Sequence, residues 1–389
     1  MEDLFQVSNQ LIERTELRFK RYLYAQINWQ NRLIGITGPR GVGKTTLVLQ
    51  YMREQLDLRT SLYVSAEDFY FATQRLLDLA EQFVKAGGRH LVIDEIHKYP
   101  DWSKELKLMY DYYPNLQLIF TGSSVLDLQK GSSDLSRRAV LYPMQGLSFR
   151  EYLNLFEGQE FPAYTIAEVL SQKTQLNAVQ LPLVAFKQYL KTGYYPFALE
   201  QDFEQKLKQV VSQTLEVDIP SFAQMNVSTG RKLKQLLAIV AQSVPFKPNM
   251  SKIADLLSVS RNNIADYLLY VEEAGMIAQL RSHTGGIRSL AKVEKVFLDN
   301  SNLSYVLPTQ QPNVGNIRET FFLNQTRVAH DVRSSAFADF KIEQYDFEVG
   351  GKTKGLKQIQ QAPHGIVVKD DIEQGYLNVV PLWHFGFLY

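Results

Sequence analysis

RLIGITGPRGVGKTTLVLQ, residues 32 to 50, runs from an apolar stretch through three closely spaced glycines to a lysine, two threonines and a helical pattern. The stretch RLIGIT has the composition of a strand covered on both faces. Gly38, Pro39, Arg40, Gly41, Val42, Gly43, Lys44 and Thr45 match GxxxxGK[ST] where its mechanism requires, between a strand and a helix start. Glycines let the backbone curl so that successive N–H groups point inward at β- and γ-phosphates, with the positive end of the next helix behind them. Lys44 adds a point charge for those oxygens. Thr45 offers a hydroxyl to Mg²⁺, with Thr46 as its substitute.

Working outward, SLYVS (61–65), HLVIDE (90–95), LQLIFTG (116–122) and RAVLYPM (138–144) read as further buried strands. Helical patterns after Lys44, over 72–85 and over 102–113 supply the crossovers, so a parallel sheet with helices on both faces is expected. HLVIDEIH ends a buried strand in two carboxylates, which are costly to bury unless a cation or hydrogen bonds meet them. Asp94 is therefore expected in the magnesium shell, and Glu95 is placed to polarise an attacking water. The strand ending TGSS offers Thr121, Ser123 or Ser124 near a γ-phosphate, although the serines equally suit N-capping of the next helix. Arg137 and Arg138 precede the last strand, where an arginine can serve a phosphate of its own subunit or of a neighbour.

The 389 residues, 45% hydrophobic and 21% charged, suffice for several buried cores, and the length suggests two to four domains. Lys and Arg number 42 against 41 Asp and Glu, so any nucleic-acid surface must be local rather than global. No cysteine occurs, which excludes disulfides and thiolate metal sites and suits a reducing cytosol. The charged N-terminal stretch has no signal-peptide core, and no long uncharged apolar run follows. A soluble cytoplasmic protein with no membrane contact is expected.

Beyond about 146 helical periodicity takes over, with LSFREYLNLF and FEQKLKQVVSQTL as clear segments. Residues 249–290 read as a winged helix-turn-helix. Ile253, Leu256 and Leu257 form one apolar stripe, and Ile264, Tyr267, Leu268 and Val271 form a second. Ala274-Gly275 stops the helix, and MIAQL with a GG-tipped hairpin supplies the wing. If the ligand is double-stranded DNA, Arg261, Asn262 and Asn263 open the recognition helix, and Lys252, Arg281 and Arg288 touch phosphates. The same fold also serves as a protein-contact module. PTQQPN (308–313) reads as a linker into the last unit.

Together, GPRGVGKTT, LVIDEIHKYPDW, FTGSS and SRRAVLYPMQGLSFREYL resemble the bacterial and archaeal AAA-superfamily ATPases that join this core to a helical segment, a winged helix and a nuclease-like C-terminal domain of unknown function. The resemblance runs along nearly the whole chain. It implies an α/β P-loop NTPase with sheet order 5-1-4-3-2 over 1–145, a helical lid-like region over 146–245, a winged helix-turn-helix over 246–310 and a small α+β nuclease-like domain over 311–389. It implies ATP and ADP as ligands, and hydrolysis with Mg²⁺. Arg138 falls on the arginine of the family's Gly-Arg pair, with Arg137 in place of the glycine, which points to self-association or a protein partner that shares an arginine finger. GYYPFALE (193–200) resembles the family's GG[FY]P[EA] element, for which the residues suggest only a turn.

The family's last domain resembles PD-(D/E)XK nucleases, and Glu319, Asp339 and Glu348 fall on its metal-binding positions. If Glu343-Gln344 forms a two-residue turn, Asp339 and Glu348 sit opposite each other, repulsive unless a cation or proton intervenes. The matching lysine is misplaced: period-two geometry wants it at Gly350, whereas Lys352 lies one pleat further. Three functions follow as expectations: an ATPase that drives a DNA-associated assembly, a nucleotide-gated protein-interaction switch, and an ATP-regulated nuclease whose cleavage chemistry is expected to be absent.

Overall fold

The computed structural model describes residues 1–122, 135, 137–223, 225–243, 247–282, 292–308, 311–355 and 357–389. Two compact units divide the chain, Met1–Gly146 and Leu147–Tyr389. In the first, strands β1 (Leu33–Thr37), β2 (Ser61–Ser65), β3 (His90–Asp94), β4 (Gln117–Gly122) and β5 (Val140–Pro143) form one sheet in the order β2-β3-β4-β1-β5. Every pairing in it is parallel. Read from the other edge this is the expected 5-1-4-3-2 order.

Side-chain alternation builds a core on each face. Leu62, Val64, Leu91, Ile93, Leu118 and Phe120 pack on one side, and Ile34, Ile36, Tyr63, Val92 and Ile119 pack on the other. Helices Lys44–Gln55, Leu76–Lys85 and Trp102–Tyr112 make the crossovers. The edge strand β2 is covered by helix Glu2–Arg14, whose buried Ser8 accepts a hydrogen bond from the Tyr63 N–H through Oγ at 3.1 Å.

In the second unit, helix Phe149–Glu157 starts with a reciprocal cap between Ser148 and Glu151. Helices Pro182–Gln188 and Phe203–Gln213 each run on into a π-turn, Tyr189–Gly193 and Thr214–Asp218. The first π-turn opens GYYPFALE and has a clear anchor. Asn302 Nδ2 donates to the carbonyls of Tyr189 and Leu190 at 3.0 and 2.9 Å, while its Oδ1 accepts from the Tyr194 N–H at 2.9 Å. Gly193 is needed there for space: a Cβ would lie 2.6 Å from the Tyr189 ring and 2.7 Å from that of Tyr152.

Helices Met250–Leu257 and Arg261–Glu273 lead into the antiparallel strands β6 (Ile277–Arg281) and β7 (Val293–Leu298). Ile264, Tyr267, Leu268 and Val271 are buried as read, but the preceding stripe is corrected. Ile253, Ala254 and Leu257 face inward and Leu256 is 62% exposed. Leu256 lies about 100° around the helix from the centre of that face. The hairpin tip, with Arg288, lies outside the described residues.

After helix Val314–Thr326 comes a second sheet. It contains β8 (Val332–Ser334), β9 (Phe340–Ile342), β10 (Tyr345–Gly350), β11 (Gly365–Lys369) and β12 (Val379–Pro381), ordered β12-β11-β10-β9-β8. Phe149, Phe186 and Tyr189 from the helical region, Leu280 and Phe297 from the strand pair, and Phe321, Phe322, Trp383 and Phe387 from the end of the chain share one buried core. The segments read as successive regions of sequence are thus joined by apolar packing into a single unit.

Candidate functional site

Residues 38–46 leave β1 and enter helix Lys44–Gln55, as the motif requires. Gly43 takes the left-handed conformation at the helix N-cap (φ 98°), which a side chain would strain. At Gly38 a Cβ would lie 2.1 Å from the Met144 carbonyl oxygen. The buried Lys44 ammonium donates to the Gly38 and Pro39 carbonyls at 2.9 Å each, holding the loop curled around its own charge. Arg40, in the same loop, comes within 3.9 Å of the Glu95 carboxylate. The floor of the loop is tied down from another direction, since the Arg21 guanidinium donates to the carbonyl oxygens of Val42, Gln145 and Gly146.

The acidic pair stands beside this loop. The buried Asp94 accepts from three hydroxyls: Thr45 Oγ1 at 2.8 Å and Tyr63 Oη at 2.8 Å on Oδ2, and Thr121 Oγ1 on Oδ1. Charge-assisted bonds of this kind are stronger than neutral ones and satisfy a buried carboxylate. Burial, with Asp94 beside it, pushes the Tyr63 hydroxyl well above its ordinary range and keeps it a donor. Thr121 also accepts from the Glu95 N–H at 3.2 Å. Its hydroxyl is therefore committed to the acidic pair rather than directed at a phosphate, and it holds both residues in place. Glu95 adopts positive φ (51°), an unusual backbone state for a non-glycine residue. Its carboxylate lies 3.6 Å from Nε2 of the buried His97. Hydroxyl and carboxylate oxygens from Thr45 and Asp94 are the hard donor set that Mg²⁺ prefers, and a glycine loop at a helix N-terminus with a lysine beside it is the kind of site that takes phosphate.

Tyr63 and His97 escaped the sequence reading. Tyr63 looked like one more apolar residue of β2. Its two-residue offset from the strand end, on the face of helix Lys44–Gln55, was the available signal. Ser123 and Ser124 lie outside the described residues.

The two arginines stand away from the phosphate loop of their own chain. Arg138 sits two residues before β5, and Val140 pairs with Ile34 near the start of β1. The phosphate loop leaves the far end of β1, roughly 15–20 Å away at about 3.3 Å per residue. Arg138 instead makes a bidentate pair with Asp111, at the end of helix Trp102–Tyr112 (2.9 Å for each contact). Neither Arg138 nor the exposed Arg137 can serve the loop of its own chain.

In the second unit Lys252, Arg261, Asn262 and Asn263 are exposed at the starts of their helices. Asn263 nevertheless serves the helix itself, because Ser260 Oγ donates to its Oδ1 at 2.7 Å and accepts from its N–H, closing the cap. Arg281 is drawn back onto Glu272 at 2.8 Å instead of pointing outward. Both corrections come from local pairing that residue type alone did not reveal.

The expected hairpin register is present, with Tyr345 opposite Ile342 and Phe347 opposite Phe340, and it brings Asp339, just before β9, next to Glu348 of β10. Glu319 joins them from helix Val314–Thr326. Two lysines meet these carboxylates. Lys295 contacts Glu319 and Asp339 at 3.1 and 3.2 Å, and Lys354, rather than Lys352, pairs with Glu348. Among the described residues no group of three or more acidic or histidine side chains is arranged to hold a metal ion. Burial pushes the Glu319 and Glu348 carboxyls up. It would lower the Lys295 ammonium, but the two carboxylates outweigh it and raise that group.

Two family descriptions match parts of the chain. The family description of an AAA domain matches residues 30–153, and a domain of unknown function (DUF8612) matches residues 183–313. The uncharacterized protein MJ1637 of Methanocaldococcus jannaschii is 26% identical over 290 residues, 69% of this chain and 61% of the relative. The chain thus spans less than two thirds of that relative's length. Among solved structures, the Walker-type ATPase Paby2304 of Pyrococcus abyssi has a TM-score of 0.42 at 14% identity, over 79% of this chain and 96% of the other. AMPPCP-bound DnaA from Aquifex aeolicus has a TM-score of 0.26 at 12% identity, over 70% and 88%. The first unit has the fold of an AAA-type P-loop NTPase. Among the described residues no helix is long and apolar enough to cross a membrane.

Proposed function

We propose that this chain binds ATP with Mg²⁺ and hydrolyses it to drive or time a conformational switch, in an assembly that contacts double-stranded DNA through the helix-turn-helix of the second unit. The observation that carries the nucleotide part is the 2.8 Å hydrogen bond from Thr45, the last motif residue of the phosphate loop, to Asp94 at the end of β3. It joins two sequence elements 49 residues apart into one site with the donor types a magnesium–nucleotide complex requires.

In this reading the loop N–H groups and Lys44 bind the phosphates, and Thr45 and Asp94 hold the metal, which would neutralise developing phosphate charge. Glu95 orients the water, with Thr121 holding its backbone and His97 beside its carboxylate. Arg138, remote from its own loop, is available only to a neighbouring subunit's nucleotide, after release from Asp111. The exposed Lys252, Arg261 and Asn262 support the DNA contact, while the inward pairing of Arg281 keeps the basic footprint small.

One experiment tests the reading. ATP turnover is measured with and without duplex DNA, with particle size determined in each nucleotide state. Turnover that rises with DNA is expected. No turnover under any condition would sink the hydrolytic reading. Turnover indifferent to DNA but tied to a change in particle size would favour the protein-interaction switch.

A further inference from the structure

The three carboxylates Glu319, Asp339 and Glu348 gather beside the second sheet and invite a cation, and the chain supplies its own. Lys295, on β7, places Nζ 3.1 Å from Glu319 Oε2 and 3.2 Å from Asp339 Oδ1. The other Asp339 oxygen, Oδ2, accepts from the Val349 N–H at 3.1 Å. Lys354 pairs with the buried Glu348 after the chain has turned back beyond β10.

Gly350 explains how that return is possible. Position 350 is where a β10 side chain would project on the same face as Glu348. A Cβ built there would lie 2.8 Å from the Lys354 Cβ and 2.7 Å from its Cγ and Cδ. The side chain missing at 350 is replaced in space by the stem of Lys354, and any residue larger than glycine would push that stem away.

We infer that the two ammonium groups stand where a divalent cation would otherwise bind, so that Glu319, Asp339 and Glu348 form a metal-free ion cluster that ties β7 to the second sheet. An ammonium satisfies several carboxylate oxygens at hydrogen-bond distance. A magnesium ion needs oxygens at about 2.0–2.1 Å in near-octahedral array. It could not approach Asp339 without coming within a few ångströms of Lys295 Nζ, where two like charges repel strongly in a partly buried site. The inference does not depend on the nucleotide reading.

The test counts bound Mn²⁺ by electron paramagnetic resonance on the full chain without nucleotide, comparing the parent with Asp339→Asn, Lys295→Met and Lys295→Arg. The parent and Asp339→Asn are expected to bind the same number of ions. Lys295→Met is expected to gain one ion, lost again on adding Asp339→Asn, with affinity at least about tenfold above any residual binding in the parent. Lys295→Arg keeps the charge and should gain none. A parent that binds one more Mn²⁺ than Asp339→Asn, or a folded Lys295→Met that gains nothing, would overturn the inference. Should Lys295→Met fail to fold, the comparison of parent with Asp339→Asn still decides. DNA cleavage in Mn²⁺ that Asp339→Asn abolishes would also overturn it.

Discussion

Tyr63→Phe isolates the least expected part of the nucleotide site. The substitution removes one oxygen and keeps the ring that packs between β2 and helix Lys44–Gln55. What disappears is the 2.8 Å hydrogen bond to Asp94 Oδ2. Both partners are buried, at 6% and 5% exposure, so water does not readily replace the lost donor. A hydrogen bond to a charged group contributes about 1.5–3 kcal/mol, and the hydroxyls of Thr45 and Thr121 remain on the carboxylate, which favours the low end. For a unit the size of Met1–Gly146, about 1.5 kcal/mol corresponds to a fall in Tm of roughly 5 °C. The transition to follow by differential scanning calorimetry is the one that Mg-ATP raises, since only the nucleotide-binding unit gains stability from that ligand. Freed from one of its three hydroxyls, Asp94 is less well oriented toward Thr45. Mg²⁺-dependent affinity for a fluorescent ATP analogue should therefore fall by about tenfold, equivalent to about 1.4 kcal/mol, while metal-free affinity stays level. A Tm within about 1 °C of the parent together with unchanged Mg²⁺ dependence would refute the idea that Tyr63 positions Asp94.

Other perturbations separate the remaining roles. Glu95→Gln should bind ATP as the parent does and slow turnover by orders of magnitude, whereas Lys44→Ala should weaken binding itself; equal turnover in Glu95→Gln and the parent would remove Glu95 from the reaction. Arg261→Ala should weaken duplex binding by about 1–3 kcal/mol if the side chain reads a base, and parent affinity should drop steeply with salt; no saturable binding at low salt in any nucleotide state would move the surface to a protein partner. Burial pushes the His384 imidazole down to about 3, so the folded chain keeps it neutral while the unfolded chain takes up a proton near pH 6.5. Its stabilisation is present above that pH and declines below it, by up to about 1.4 kcal/mol per pH unit. His384→Phe should flatten the stability profile between about pH 6.5 and 5, and identical acid sensitivity in both proteins would refute this.

The first unit was largely legible because its signals are local and repeated. RLIGIT, HLVIDE and LQLIFTG are short apolar runs, and a parallel sheet buried on both faces requires such runs. The glycine loop could be read without a partner, since backbone curvature is a property of the segment itself. Sheet order came from family likeness and not from these runs, which would look the same in another order. The reach of Arg138 was invisible for a related reason: residue type suggested a phosphate, but only the pairing of Val140 with Ile34 says at which end of the sheet the guanidinium lies.

The carboxylates of the second sheet mark the limit more sharply. Their mutual approach followed from a turn and a period of two, and Tyr345 opposite Ile342 is the register that reasoning requires. What neutralises them did not follow. Lys295 precedes Asp339 by 44 residues and belongs to a strand pair that reads as part of a different module. Lys354 lies beyond a pair of glycines, where counting along an ideal strand carries it away from Glu348 rather than back onto it. Spacing rules locate a charge along its own element. They say nothing of a chain that turns between Gly351 and Lys354, or of a neighbouring strand that lends an ammonium. A like-charge cluster deduced from sequence therefore implies that a counter-charge exists without implying that it is a metal. Long-range packing decides between the two, and here it brings Lys295 to Asp339.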